Sequence, residues 1–457
     1  MTGSVVMQET LSDLRSRVRG QVLTPADAGY DEARKIYNAM IDRRPAVIVR
    51  CAGCADVIQA VGVARERDCL VAVRGGGHNV AGNALCDDGL VIDLTGMRGV
   101  HVDPARQTAR AEGGATWGDF DCETQAFGLA TTGGLISSTG IAGLTLGGGL
   151  GWLMRKHGLA CDNLLSVDLI TAEGKRIKAS AAENPDLYWG VRGGGGNFGV
   201  ATSFEYRIHP VGPVLGGLAF YPLAAARQLL RAYRDFQATA PDEVTVYGAV
   251  MFLPEVGPVA ALAACHHAPE SGGEALLRPL RNAAEPLIDD IRLRPYRDMQ
   301  TIFDAAFPSG LQNYWKSHFL KAVTDEGIDI AIEAIRNSPS PLNAIVFEGL
   351  GGAMARFGEL DTAFAHRKAA AHLGIFGRWT DPADAEKNSQ WTREFWSAMD
   401  PWSTGGVYVN AIGQEGLEPV KSSAYGSATY RRLAELKRRY DPDNFFRVNQ
   451  NILPAAA

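Results

Sequence analysis

Val71-Ala72-Val73-Arg74-Gly75-Gly76-Gly77-His78-Asn79 decides the fold of this chain. A short apolar strand runs into three glycines, a histidine and an asparagine, with Arg74 just ahead of the turn. Three successive glycines carry no Cβ, so the backbone can take dihedrals closed to other residues and bring its amides close to a ligand. A row of such amides is an anion cradle, to which Arg74 adds charge. His78 is the one nucleophilic side chain in the turn. A phosphate-binding turn that carries a histidine suggests a dinucleotide held by its pyrophosphate and by a covalent bond. The plain alternative is a tight turn with a solvent-facing histidine, and the local sequence leaves both open.

Residues 45–50 read as a strand, 55–65 as a helix and 70–73 as a second strand, a β-α-β opening. It lacks the dinucleotide fingerprint of a Rossmann fold, because its glycines follow the second strand and feed another strand rather than a helix. Upstream, 9–18 and 30–40 have helical spacing. Downstream come short strands at 90–94, 100–103 and 108–113, then a helix at 117–127 closed by Gly128. A second glycine-dense region, 133–151, holds no charge in nineteen residues. Such a stretch will not fold alone as a helix or a strand, and it makes sense as backbone pressed against a large flat ligand. A third patch, Arg192-Gly-Gly-Gly-Gly-Asn-Phe-Gly199, follows a short helix starting at Asn184 and leads into a strand at 200–208.

From Pro210 the texture changes. Strand patterns at 244–252 and 344–347 alternate with helical ones at 224–239, 274–288 and 325–335. Gly212 marks the start of a second domain. Near Tyr408-Val-Asn410 the chain returns to the first, through a last amphipathic helix (Tyr430, Leu433, Leu436, Tyr440) and an Asn-rich end.

A length of 457 residues exceeds one ordinary core, so two large domains are expected. The net charge of −6 and the lack of a basic block argue against nucleic acid as the main partner. No apolar run of about 18 residues exists, which argues against a membrane span, and residues 1–20 lack an apolar core of signal-peptide length. Seven scattered cysteines fit the reduced thiols of a cytoplasmic protein better than a disulfide framework. Cys51 and Cys54 form a lone CxxC at a helix start.

In order and spacing, Arg74-Gly-Gly-Gly-His-Asn79, Asp93-Leu94, Gly140-x-x-Gly143, Gly147-Gly-Gly-x-Gly151, Gly158-Leu-x-x-Asp162-Asn163, Asn184-Pro-Asp-Leu-x-Trp189, the third glycine patch and Tyr440-Asp-Pro-Asp-Asn-x-Phe-x-x-Asn449-x-Asn451 form a set. That set resembles the berberine-bridge-enzyme-like oxidases of the vanillyl-alcohol-oxidase/PCMH-type flavoproteins. The resemblance implies an α+β protein. Residues 1–211 would form a PCMH-type FAD-binding domain of two α/β subdomains. Residues 212–404 would form a substrate domain, an antiparallel sheet covered by helices, and 405–457 would return to the FAD domain.

It further implies that FAD is held by the first turn (Arg74, Gly75, Gly76, Gly77, His78, Asn79) and by the second glycine region (Ser138, Thr139, Gly140, Gly143, Leu144, Gly148, Gly149, Gly151). Asp162, Asn163, Gly199 and Val200 join them, with Tyr408, Asn410, Asn449 and Asn451 from the return. In the family the histidine at the place of His78 bonds the 8α-methyl of the flavin, and a neutral imidazole is a competent nucleophile near pH 7. Many members carry a second, cysteinyl link. Its position here is Ile136, followed by Ser137 and Ser138, so a single attachment is expected, as in the 6-hydroxy-nicotine oxidase and polyketide-tailoring branches. That shifts the substrate toward a small alkaloid, phenol or polyketide. Thr139 stands where the family lines the dioxygen side of the flavin, though it also reads as a loop-packing residue.

Catalytic groups are expected on the substrate domain and the return: Tyr247, Tyr314 with Lys316, Glu348, and Tyr408 with Asn410. Glu348 suits a general base if buried, and a tyrosine suits if Lys316 stabilises its phenolate. Each also reads as a polar residue satisfying a sheet edge or a domain interface. The remaining histidines show no metal-ligand spacing, and adjacent residues such as His266 and His267 point to opposite faces of a strand, so no metal is expected. The leading expectation is an FAD-dependent oxidase that passes hydride to the flavin and then electrons to O2, releasing H2O2, with a small-molecule substrate and O2 as its partners. The same residues leave open an oxygenating or rearranging tailoring enzyme, a carbohydrate oxidase, and a ligand-binding flavoprotein without turnover.

Overall fold

The strand Val71–Arg74 that feeds the glycine turn lies at the edge of a four-stranded sheet, in the order Gln21–Leu23, Val47–Arg50, Leu90–Asp93, Val71–Arg74. The last three strands run parallel, and the helix Cys54–Glu66 connects two of them. Parallel strands covered on both faces read as continuous apolar runs, and Val47, Ile48 and Val49 are all buried. The computed structural model describes residues 11–268 and 272–456.

A second, five-stranded antiparallel sheet follows in the order Val100–Asp103, Thr108–Glu112, Val200–Arg207, Leu164–Ile170, Arg176–Ser180. The helix Trp117–Gln125 packs on it through Trp117 and Phe120, whose rings meet Tyr206. A reciprocal cap starts that helix: Asp119 N–H donates to Thr116 Oγ1, and the Asp119 carboxylate accepts from Thr116 N–H. Such caps contribute about 1 kcal/mol.

The inserted domain is an eight-stranded antiparallel sheet among the described residues, with central strands Val214–Pro222, Gly257–His266, Val244–Leu253, Ala344–Gly349, Ala371–Trp379 and the edge strand Gln312–Leu320. Period-two alternation divides its side chains. Val244, Val246, Val250, Leu262, Ile345, Phe347, Leu373 and Ile375 pack with residues of the helices Ala226–Gln237, Asp325–Arg336 and Ala385–Ala398. Tyr247, Ala249, Ala263, Val346, Glu348 and His372, of opposite parity, face a cavity shared with the glycine-rich domain.

The return segment closes that edge. Phe319 N–H donates to Gly406 O and Tyr408 N–H to Ser317 Oγ. The helix Gly426–Tyr440 then buries Lys437, whose ammonium donates to Asp441 (2.6 Å), to Phe446 O (2.9 Å) and to Asn197 O in the third glycine patch (2.7 Å). A buried charge is tolerated only when so paired, and this one ties the chain end to the loop it must hold.

Two local expectations are corrected. The helical spacing at 30–40 yields only Tyr30–Ala33 as helix, because the amides beyond it are spent on loops: Tyr37 N–H donates to Gly77 O and Ala39 N–H to Leu311 O. The 274–288 helix ends at Arg281. Its remainder joins the sheet edge, with Leu287 N–H on Phe220 O and a short strand at Ile288–Asp289. Within 133–151 the chain does form a short helix, Ile141–Leu146, supported by its surroundings. Of the expected 9–18 helix, 11–17 is helical and residues 9 and 10 lie outside the described residues.

All seven cysteines are free, and burial pushes the Cys51 thiol up. Among the described residues, no helix is long and apolar enough to cross a membrane.

Candidate active site

Two glycine turns meet at the heart of the site. Gly76 and Gly140 pack backbone to backbone, so closely that a Cβ on either would overlap the other. Gly77 sits at φ +71°, the left-handed region that glycine enters without penalty. Among the described residues no protein acceptor meets the amides of Gly76, Gly77 or His78. These residues line the cavity, where a row of unpaired amides suits a ligand's anionic group.

The His78 ring stacks on Tyr37, with ring centroids 4.3 Å apart and planes 22° off parallel. Its Nε2 lies 2.9 Å from Ser138 Oγ and its Nδ1 3.4 Å from Thr139 Oγ1. Burial lowers the imidazole to about 4, so it stands neutral and nucleophilic at physiological pH.

From these turns a cavity of about 520 Å³ runs to the face of the inserted sheet. Gly75, Gly76, Gly77, His78, Asn79, Thr139, Gly140, Gly143, Leu144 and Gly199 line its glycine-rich side. Leu218, Phe220, Ala249, Met251, Ala263 and Val346 give the sheet side an apolar surface, flanked by Trp315, Phe303, Phe307 and Phe376. Glu348 is the only Asp, Glu, Lys or Arg side chain on the wall among the described residues.

Glu348 stands in a row across three strands. Tyr247 is its register partner on one side and His372 on the other. Tyr247 stacks on Trp152 at 4.9 Å, and its buried hydroxyl has no hydrogen-bond partner among the described residues. Burial, and then the neighbouring Glu348, push its phenol well above the ordinary range. Tyr408 reaches the cavity from the return segment. Its oxygen accepts from Gly149 N–H at 3.0 Å and from Asn410 Nδ2 at 2.9 Å, which leaves its own proton to donate. Burial likewise raises this phenol. Among the described residues neither tyrosine has a Lys or Arg beside it, so both stay protonated.

The expected phenolate partner Lys316 is elsewhere. It pairs with Glu415 at 2.8 Å and lies over the Trp396 ring, and Tyr314 lies beneath Arg393. Alternation explains both: residues 314 and 316 face the helices, whereas Trp315 faces the cavity.

Several expected cofactor residues support the loops from behind. Arg74 turns away from the cradle, and its guanidinium donates to Ala33 O. Asp162 is buried in a two-pronged pair with Arg367 (2.9 and 2.7 Å) and caps Leu159 N–H. Asn163 donates to the carbonyls of His157 and Leu159 and meets His209 Nε2. Ser138, Gly148, Gly149, Gly151, Val200 and Asn451 lie off the cavity wall. A Cβ on Gly148, Gly149 or Gly151 would strike Phe364, Ala160 or Gly133, so those glycines serve packing. Asn410 and Asn449 do line the wall, and Asn449 Oδ1 is buried without a partner.

Tyr37, Trp315, Phe376 and His372 were not expected at the site. His372 carried no local signal, because only the strand pairing brings it beside Glu348. The fold also gathers His157, His209 and His267 where the two domains touch: the first two rings stack at 3.8 Å, and the third centroid lies 5.7 Å from His157. Burial lowers all three. Among the described residues no group of three His, Cys, Asp or Glu is placed to hold a metal.

Unpaired amides in a glycine cradle, a neutral histidine beside it, and an elongated cavity closed by a sheet define a flavoprotein oxidoreductase site. Comparison with known proteins agrees. Residues 45–180 match the FAD binding domain family and 407–453 the berberine and berberine-like family. The chain is 33% identical over 453 residues to an FAD-linked oxidoreductase of Dictyostelium discoideum, covering 98% of this chain and 97% of that one. It is 31% identical to (R)-6-hydroxynicotine oxidase of Paenarthrobacter nicotinovorans, with 96% and 97% covered. The crystal structure of 6-hydroxy-D-nicotine oxidase from Arthrobacter nicotinovorans aligns with a TM-score of 0.87 at 30% identity, over 96% of this chain and 98% of that one. The chain belongs to the berberine-bridge-enzyme-like family of PCMH-type FAD flavoproteins; it is an FAD-dependent oxidoreductase.

Proposed function

We propose that the enzyme is an oxidase for a small, largely apolar organic substrate of the alkaloid, phenol or polyketide kind, carrying FAD bonded to His78 and releasing H2O2. FAD supplies the hydride acceptor and its reoxidation by O2. The observation that carries the reading is the lone carboxylate on an apolar wall: Glu348 stands between Tyr247 and His372, facing the glycine loops across one cavity.

Glu348 is the group for taking a proton from a substrate O–H or N–H, since both tyrosines are held protonated. Tyr408, with two hydrogen bonds already accepted, donates its own to a bound oxygen or nitrogen. His78 is neutral and placed to tether the flavin. Ile136 stands where a second, cysteinyl link would need a thiol. Thr139, small and on the cavity wall, leaves room for O2.

The wall favours aromatic or aliphatic substrates over oligosaccharides, which need many convergent hydrogen-bonding groups; Leu218, Phe220, Ala249, Met251 and Val346 supply none from their side chains. A relative named for 6-hydroxynicotine, alike over nearly its whole length, supports the same preference.

Peroxide release by purified holoenzyme, over a panel of 6-hydroxynicotine, substituted phenols, aromatic amines and oligosaccharides, tests this. Peroxide from an aromatic member and none from the sugars is expected. Fastest turnover on a sugar, or flavin reduction by substrate with no peroxide in air, would contradict it.

A further inference from the structure

We infer that His372 is the positioning residue of this site: its Nδ1–H holds Oε2 of Glu348 and leaves Oε1 as the oxygen open to substrate. The inference rests on the reading of Glu348 as the base. In register, Glu348 and His372 are direct partners on adjacent antiparallel strands, the arrangement in which cross-strand side chains meet. His372 Nδ1 lies 3.4 Å from Glu348 Oε2. No other titratable side chain among the described residues pairs with the Glu348 carboxylate. Both His372 nitrogens are buried and neither has a hydrogen-bond partner among the described residues, the 3.4 Å approach of Nδ1 to Oε2 being close but not aligned as a hydrogen bond, so each looks to this carboxylate or to a ligand for a partner. Catalytic hydrogen bonds are often long before substrate binds and tighten afterwards.

The ring has little freedom to leave. Its centroid lies 5.4 Å from Tyr408, nearly edge-on at 80°, and 5.4 Å from Phe319. The other carboxylate oxygen faces a gap. Two residues along from His372, on the same face of its strand, stands Gly374, and a Cβ there would lie 3.7 Å from Glu348 Oε1 and 2.7 Å from the Phe376 ring. With no side chain at 374, the space beside Oε1 is left to the Phe376 ring, which lines the cavity. The histidine, the glycine and the phenylalanine thus fix which oxygen points where.

A histidine with its Nδ1 proton committed to a carboxylate has a distinct ¹⁵N signature. Holoenzyme labelled with ¹⁵N-histidine is examined at pH 8, with His372→Gln identifying the resonances. A proton-bearing Nδ1 in the wild type is expected. Glu348→Ala should move that proton to Nε2, as should Glu348→Met where the alanine variant does not fold, while Tyr247→Phe should leave it in place. A bare Nδ1 in the wild type, or a spectrum indifferent to the loss of Glu348, overturns the assignment. With the panel substrate that gives most peroxide, His372→Leu should slow flavin reduction on the order of 10²-fold. His372→Asn, whose amide N–H can stand in for Nδ1–H, should recover much of the rate; equal slowing in both also overturns it. The ¹⁵N result needs no turnover, so a silent substrate panel would refute the oxidase reading without touching this one.

Discussion

Tyr247 and Glu348 stand directly opposite each other on neighbouring antiparallel strands, and both side chains face the cavity. One is a phenol that burial and its neighbour keep protonated, the other the only carboxyl side chain on the wall among the described residues. With Tyr408, they are the groups proposed for the acid and base work that the glycine loops cannot supply. Glu348→Gln should keep full flavin content and slow anaerobic flavin reduction by about 10²–10⁴-fold, the usual cost of a lost positioned base. Tyr247→Phe and Tyr408→Phe should slow it less, and reoxidation by O2 should stay near the wild-type rate in all three. Stopped-flow absorbance in the two half-reactions checks this. Three variants reduced at the wild-type rate would place proton removal elsewhere.

Thr139 separates the other half-reaction. It lies on the cavity wall 3.4 Å from His78 Nδ1, and its backbone carbonyl accepts from Trp117 N–H. Thr139→Ile should crowd the approach of O2 and slow reoxidation by about tenfold, a barrier increase of about 1.4 kcal/mol, with flavin reduction by substrate changed far less. Equal slowing of both steps would mean that the loop had been distorted.

What the sequence made legible was whatever local chemistry decides. The glycine turn after 70–73 and the uncharged stretch at 133–151 follow from missing side chains, and the antiparallel insert from the family resemblance that the ordered motifs carry. What it hid was direction and pairing. Arg74 beside a glycine cradle reads as an anion ligand, yet it is spent on the Ala33 carbonyl. Lys316 reads as a partner for a phenolate, yet strand alternation turns it toward Trp396. Asp162 reads as a cofactor contact and is buried against Arg367, 205 residues away. His372 had no local mark at all, because its meaning comes from the strand opposite.

Asp121 offers a test of the domain interface. Its carboxyl is buried in the helix Trp117–Gln125, where Gln300 of the inserted domain donates to it at 2.9 Å and its other oxygen has no partner. Burial raises it from 3.8 to about 7. The folded protein therefore holds a proton that the unfolded chain releases, so this stabilising contribution is present below pH 3.8 and lost as pH rises through about 7. Asp121→Asn removes the cost of burying the charge. Its stability relative to wild type, measured by urea unfolding, should rise between pH 4 and pH 8 by on the order of 4 kcal/mol, at about 1.4 kcal/mol per pH unit. A difference constant with pH would show that the carboxyl does not titrate as its surroundings dictate.

The central claim, that His78 holds the flavin covalently in this oxidoreductase, is tested most directly by unfolding the protein. His78 is neutral, stacked on Tyr37 and placed beside the amide cradle, whereas no thiol stands at Ile136. Acid-precipitated or denaturing-gel samples of the wild type should keep yellow colour and flavin fluorescence in the protein, and a proteolytic digest should carry the flavin mass on the peptide containing His78 and on no cysteine peptide. His78→Ala should lose the attached flavin on denaturation. Release of all FAD from denatured wild type, or a flavin adduct on a cysteine peptide, would contradict the account.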